Sequence, residues 1–274
     1  MTVLLGVAHG SRDPASQQGI RDLLDLVSGL RPGLRTEASY VDNASPSVRV
    51  ALQRLVDEGE SDVTVLPLLL GAASHSKTDV AASVMVGRVD HPGLRLRYAR
   101  PIGPHPVLVD VLAQRLAEAG ATDEPVVLVA GGSLDPDANA GVAATARLLW
   151  EGRGFPSVDI AFVSTTGPTV TEALERLRAL GHRRAALARY FLGPGRLPRL
   201  VATQAAGVDI EVVVSEPIGA TASLARLLLE RYDEAVGGDV RMNCDACLYR
   251  IALPGREAAV GAAQQPHSHP DDFV

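Results

Sequence analysis

A chain of 274 residues, 46% hydrophobic and 21% charged, is globular and long enough for two compact domains of ordinary size. Its formal net charge of −6 argues against general nucleic-acid binding, which needs a basic footprint, although a positive cleft can sit within an acidic surface. No apolar run nears the roughly 18 residues that span a bilayer, MTVLLGVA lacks the basic start of a signal peptide, and two cysteines are too few for a disulfide framework, so a reduced cytoplasmic protein without membrane partners is expected.

Taken in chain order, VLLGVA predicts a buried strand and residues of about 14–30 a helix. TEASYV predicts the next strand, followed by a helix over about 46–58 that opens with Ser45 as N-cap and Pro46 at its first position. VTVLPLLL, a helix over about 77–88, LRLRYA and a helix over about 105–119 complete the first half. AEAGATDEP (117–125) is the expected linker, and VVLVAG, VDIAFV, AALARYF and IEVVVS repeat the alternation. The fold class is therefore α/β: two tandem duplicated domains, 1–118 and 122–236, each a mainly parallel sheet flanked by helices. Beyond these, 237–274 reads as a tail, partly disordered, with one cysteine motif.

The duplication is visible residue by residue. VAHGSRDP recurs as VAGGSLDP at an offset of 122, which carries His9 onto Gly131 (131 minus 9). The same offset carries Pro46 onto Pro168, Ala51-Leu52 onto Ala173-Leu174 and Leu70-Gly71 onto Leu192-Gly193, and an offset of 116 then carries Pro101-Ile102-Gly103 onto Pro217-Ile218-Gly219. A period this long marks gene duplication rather than a solenoid.

The two copies differ where chemistry would sit. Ligands of parallel open sheets lie at the carboxyl ends of the strands. There the first copy carries His9 after its first strand, Asp42 after its second and His75 after its third, and the second copy has Gly131, Ser164 and Leu197. Imidazole holds borderline divalent metals and accepts protons near neutral pH. A carboxylate beside it offsets the cation's charge, and three ligands leave a metal open to exchange. His9, Asp42 and His75 are thus the candidate catalytic residues, with His9 and His75 as metal ligands. His105 reads as a helix cap, and His91 and His182 as surface residues.

VAHGSRDP, the SYVD segment, LPLLLGAASHSKTDV and RPIGPHP together resemble the class II tetrapyrrole chelatases, the sirohydrochlorin chelatases of the CbiX/SirB type, over roughly residues 3–235 in the long, internally duplicated form. The resemblance implies insertion of Fe2+, for siroheme, or Co2+, for cobalamin, into sirohydrochlorin, with His9 and His75 binding the incoming metal and taking pyrrole protons. Asp42 stands where that family has a glutamate, one methylene longer. For a tetrapyrrole rich in carboxylates, Lys77 (the only lysine in the chain) and Arg12 are candidate anchors, and Gly10 and Ser11 let the backbone approach the ring, with Ser11 also a candidate N-cap. Met242-Asn243-Cys244-Asp245-Ala246-Cys247 resembles the MxCxxC segment that some long-form cobaltochelatases associate with an iron–sulfur cluster. Two thiolates fall short of the usual four, so a cluster shared between subunits, a zinc site completed by His267 and His269, or no metal remain as alternatives for Cys244 and Cys247. The chain is expected to act as a monomer or homodimer. A tetrapyrrole or metal carrier, and a ferrochelatase for another porphyrin, are the competing functions.

Overall fold

The structure, a computed structural model, describes residues 2–238 and the isolated positions 240 and 258. Cys244, Cys247, His267 and His269 lie outside the described residues. The first repeat runs β1 (Thr2–Ala8), α1 (Pro14–Leu30), β2 (Arg35–Tyr40), α2 (Val48–Asp57), β3 (Asp62–Pro67), a π-helical turn (His75–Asp79), α3 (Val80–Asp90), β4 (Arg95–Tyr98) and α4 (Pro106–Glu118). The second runs β5 (Val126–Ala130), α5 (Pro136–Arg153), β6 (Val158–Phe162), α6 (Val170–Ala179), β7 (Arg184–Arg189), α7 (Arg196–Ala205), β8 (Glu211–Val214) and α8 (Ala222–Gly237).

All strand pairs are parallel, in the orders β2-β1-β3-β4 and β6-β5-β7-β8. The expected α/β class with a duplicated parallel sheet is what forms. Val3, Leu5 and Val7 of β1 join a core with Val48, Leu52 and Val84, and Leu4 is fully buried too, so β1 is apolar on both faces as helix-covered parallel strands are. Val127, Val129, Leu174, Leu187 and Val201 build the corresponding core of the second sheet. The strand order has a functional consequence. The connections after β1 and β3 run to opposite sides, which opens a crevice outside the carboxyl ends of those two strands.

Compact unit and sequence repeat are different divisions of the chain. One unit comprises residues 1–102 with the chain from Ala220, and the other Gly103–Gly219. The repeat breaks at the 117–125 linker, where the expected domains 1–118 and 122–236 divide, yet the last helix of each repeat packs within the unit built on the other. Helix α8 lies against α1, β3 and β4, and α4 against α5 and β7. Leu108, Val109, Val111, Leu112 and Leu116 bury the apolar face of α4. In the first unit Arg100 grips Glu234 of α8 through two bonds of 2.8 and 2.7 Å, and its charge-assisted hydrogen bonds hold that carboxyl below the usual range.

Three helix starts differ from the sequence expectation for identifiable reasons. Asp13, not Ser11, caps α1, its carboxylate accepting from Ala15 N at 3.0 Å, while Ser11 Oγ accepts from Asp13 N at 3.1 Å. Ser47 rather than Ser45 caps α2, because the Pro46 carbonyl accepts the Tyr40 N–H at 3.0 Å and keeps Pro46 in an extension of the sheet. The helix expected from 77 instead begins as the π turn at His75. His105 does cap α4, its Nδ1 accepting from Val107 N at 3.2 Å.

The duplicate has kept one strained backbone position. Asn43 has φ 56° and its counterpart Thr165 has φ 70°. Asparagine tolerates the left-handed region, but a β-branched residue there is strained by about 1–3 kcal/mol. Thr165 is exposed. Thr165→Asn, which copies the first repeat, is expected to stabilise the protein by about 1 kcal/mol, read as a higher urea midpoint. An unchanged midpoint would show that the loop had no strain to release.

Candidate metal centre

The site is built from three loop ends at the β1/β3 crevice. His9 follows directly on β1 and is exposed. Two further rungs extend the β1–β2 pairing beyond the strands: Val41 N donates to Ala8 O at 3.0 Å and Asp42 N to His9 O at 2.8 Å. These bonds fix the residues after β1 and β2 side by side. Gly10 makes the approach possible. It has φ +99°, and a Cβ there would stand 1.6 Å from the Asp42 carbonyl oxygen.

His75 comes from the far side of the crevice, as the first residue of the π turn after β3. Its ring centroid lies 4.6 Å from that of His9, with the planes tilted by 33°. At that separation the two imidazoles can each present a nitrogen to one ion. His75 Nδ1 is 2.6 Å from Asp79 Oδ2, and Asp79 is buried. Tyr98 donates its hydroxyl to Ser76 O and so ties the turn to β4. Burial first, and the Asp79 charge second, hold the Tyr98 phenol well above its ordinary range, which keeps it a donor.

The sequence therefore identified a pair that the fold does bring together, His9 and His75. Asp42 is tied to His9 by its backbone N–H. Its carboxylate Oδ1 accepts from Asn43 N at 2.7 Å, and among the described residues no three His, Cys, Asp or Glu side chains converge to enclose a metal ion. His9 and His75 are the candidate ligands brought ring to ring, and Asp42 stays the candidate carboxylate on the adjoining loop, with one oxygen on its own loop's N–H. Ser11 shapes the loop, its carbonyl accepting from Gln17 Nε2 at 2.9 Å. Arg12 is exposed, and Lys77, with 8% exposure, is buried rather than displayed on a solvated surface.

In the second unit the same backbone frame carries apolar contents. A Cβ at Gly132 would stand 2.0 Å from Ser164 O, and Ser164 N donates to Gly131 O at 3.2 Å, matching the Gly10 and Asp42 arrangement. A Cβ at Gly131 would meet Leu197 Cδ1 at 3.6 Å and Phe191 Cε1 at 3.9 Å. Positions 131 and 197 are neighbours, as His9 and His75 are, but aliphatic and aromatic carbon fills the place. The residues that sequence reasoning missed are Asp79 and Tyr98. The signal for Asp79 was present in HSKTD, where it stands four residues after His75 and becomes Val201 at the offset of 122 (201 minus 79).

Paired imidazoles, partly open to solvent at the switch point of one of two duplicated parallel sheets, define an α/β protein with a candidate metal site in one repeat only. Comparison with known proteins agrees with that class. The CbiX family model matches residues 3–119 and again 125–235. The chain is 32% identical over 265 residues to the sirohydrochlorin cobaltochelatase of Priestia megaterium, covering 92% of this chain and 86% of that protein. It is 30% identical over 176 residues to the sirohydrochlorin ferrochelatase of Bacillus subtilis, covering 64% and 67%. The solved structure of SirB from Bacillus subtilis with Fe3+ superposes with a TM-score of 0.74 at 27% identity, over 87% of this chain and 97% of that one. The chain belongs to the CbiX family.

Proposed function

We propose that this chain is a sirohydrochlorin chelatase, a lyase-class enzyme that inserts Fe2+ or Co2+ into sirohydrochlorin, and the observation that carries the reading is the His9–His75 pair, 4.6 Å apart in the repeat that kept it. Insertion exchanges two protons for one divalent ion: the metal forms bonds to four ring nitrogens as two pyrrole N–H bonds break. Neutral imidazoles suit both halves of that exchange, since they bind Fe2+ or Co2+ weakly enough to release it and accept protons near neutral pH. Two protein ligands leave most of the coordination sphere open to ring nitrogens. Gly10 and Ser11 line the approach, and Arg12 and Lys77 supply positive charge for a polycarboxylate ring.

Mixing the protein with sirohydrochlorin and excess Co2+ tests the reading. An enzyme drives the tetrapyrrole absorbance change through many equivalents per chain, and a carrier stops at one. Asp42 gives a finer expectation. If its charge supports the protons and metal passing the histidines, Asp42→Asn lowers the insertion rate by about 10–100-fold and Asp42→Glu keeps most of it. Asparagine as active as aspartate would remove the charge role.

We assign the protein to the cytoplasm, on its two-cysteine composition; no helix among the described residues is long and apolar enough to cross a membrane. Cys244 and Cys247 offer two thiolates where a cluster takes four. No step is assigned to an iron–sulfur cluster or zinc ion there.

A further inference from the structure

We propose that Asp79 is the positioning residue of the metal centre: it accepts the Nδ1 hydrogen of His75, which sets the tautomer and ring plane that present Nε2 to the metal. The inference rests on the chelatase reading of the His9–His75 pair. An ionised carboxylate can only accept, so the 2.6 Å contact with Asp79 Oδ2 requires the hydrogen on Nδ1 and leaves the lone pair on Nε2. The backbone around the carboxylate is itself held. Thr78 Oγ1 donates to Ser74 O at 2.6 Å and stands 3.2 Å from Asp79 Oδ1, and Ser83 Oγ donates to the Asp79 carbonyl at 2.8 Å. The turn that carries both residues is closed by Val80 N on His75 O and tied down by Tyr98 on Ser76 O.

The duplicate supplies an internal comparison. A carboxylate only 7% exposed is costly to desolvate, and a scaffold with no use for it would replace it with a hydrocarbon. The second repeat has done that. Val201, fully buried, takes the place of Asp79, Leu197 takes the place of His75, and the segment is the regular helix α7 without a π turn. Histidine, carboxylate and π turn are present together in one copy and absent together in the other. The fold tolerates an aliphatic residue at this position; the imidazole is what needs the acid.

Asp79→Val, which copies the duplicate, and the near-isosteric Asp79→Asn test this by two readouts that a merely structural role would not move. Two-dimensional 1H–15N spectra of the His75 ring, assigned by comparison with His75→Ala, are expected to show a single Nδ1–H tautomer in the wild type and a mixture in Asp79→Val. Titration with Co2+ alone, followed by its visible d–d bands, is expected to show affinity about 10–100-fold weaker in both variants, Asp79→Val at the weaker end. Wild-type tautomer and wild-type Co2+ affinity in both folded variants, beside lost affinity in His75→Ala, would overturn the positioning role alone. Wild-type Co2+ affinity in His75→Ala would instead overturn the metal-centre reading on which the proposal stands.

Discussion

His9→Ala and His75→Ala are each expected to lower the rate of metal insertion by about 10²–10⁴-fold, the range a positioned base contributes, while leaving the fold intact. Both side chains sit at the mouth of the crevice. His9 is exposed and His75 retains 29% side-chain exposure, so truncating either opens no core cavity. Removing one ring leaves an ion on a single imidazole, and the second removal should therefore add little, because the two act as a unit. The reciprocal experiment is as informative. Gly131→His with Leu197→His restores both side chains to the duplicate but without a carboxylate at Val201 or a π turn beneath the second ring. Such a variant, built on His9→Ala/His75→Ala, is expected to stay inactive. Steady-state insertion assays above the spontaneous background decide this. A double alanine variant that inserts metal at the wild-type rate would remove the histidines from the chemistry altogether.

The sequence carried the parts of this site that change type between repeats. His9 against Gly131 and His75 against Leu197 could be read without coordinates, because an offset held over many positions turns each repeat into a control for the other. The sheets were equally readable, since VLLGVA and VTVLPLLL are solid apolar runs of the kind that only strands buried on both faces need. Side-chain direction was not. Asp42 stands at the right place in the chain, but that one of its carboxylate oxygens takes the Asn43 N–H at 2.7 Å follows from Asn43 in the left-handed region, which no periodicity announces. Asp79 cannot be singled out from spacing alone, because a His–Asp pair four residues apart is common on helix surfaces; only its burial gives it meaning. The exchange of α4 and α8 between compact units leaves no trace in periodicity, because an amphipathic helix has the same pattern whichever sheet it covers.

Gly10→Ala is expected to be the most damaging single change at the site that touches no functional group. With φ at +99° and 1.6 Å between an added Cβ and the Asp42 carbonyl oxygen, the substitution cannot be absorbed by a side-chain rotation. Backbone must move by more than about 1 Å to restore ordinary contact, and strain at such a dihedral adds to that cost, so a loss of about 3 kcal/mol or more is expected. The bond from Asp42 N to His9 O, 2.8 Å long, is the contact that the displacement breaks. With it goes the placement of His9 against His75, and a misplacement of about 1 Å can cost on the order of 10²-fold in rate. Gly132→Ala separates the two consequences. Its Cβ would stand 2.0 Å from Ser164 O at a φ of +87°, so it repeats the steric insult in the repeat that has no histidines. Both variants should unfold at lower denaturant concentration than the wild type. Measured where each is still folded, Gly132→Ala is expected to insert metal near the wild-type rate and Gly10→Ala about 10²-fold more slowly. Equal activity in the two variants would mean that the His9 loop can shift without consequence, and that the ring-to-ring geometry at the crevice is not what sets the rate.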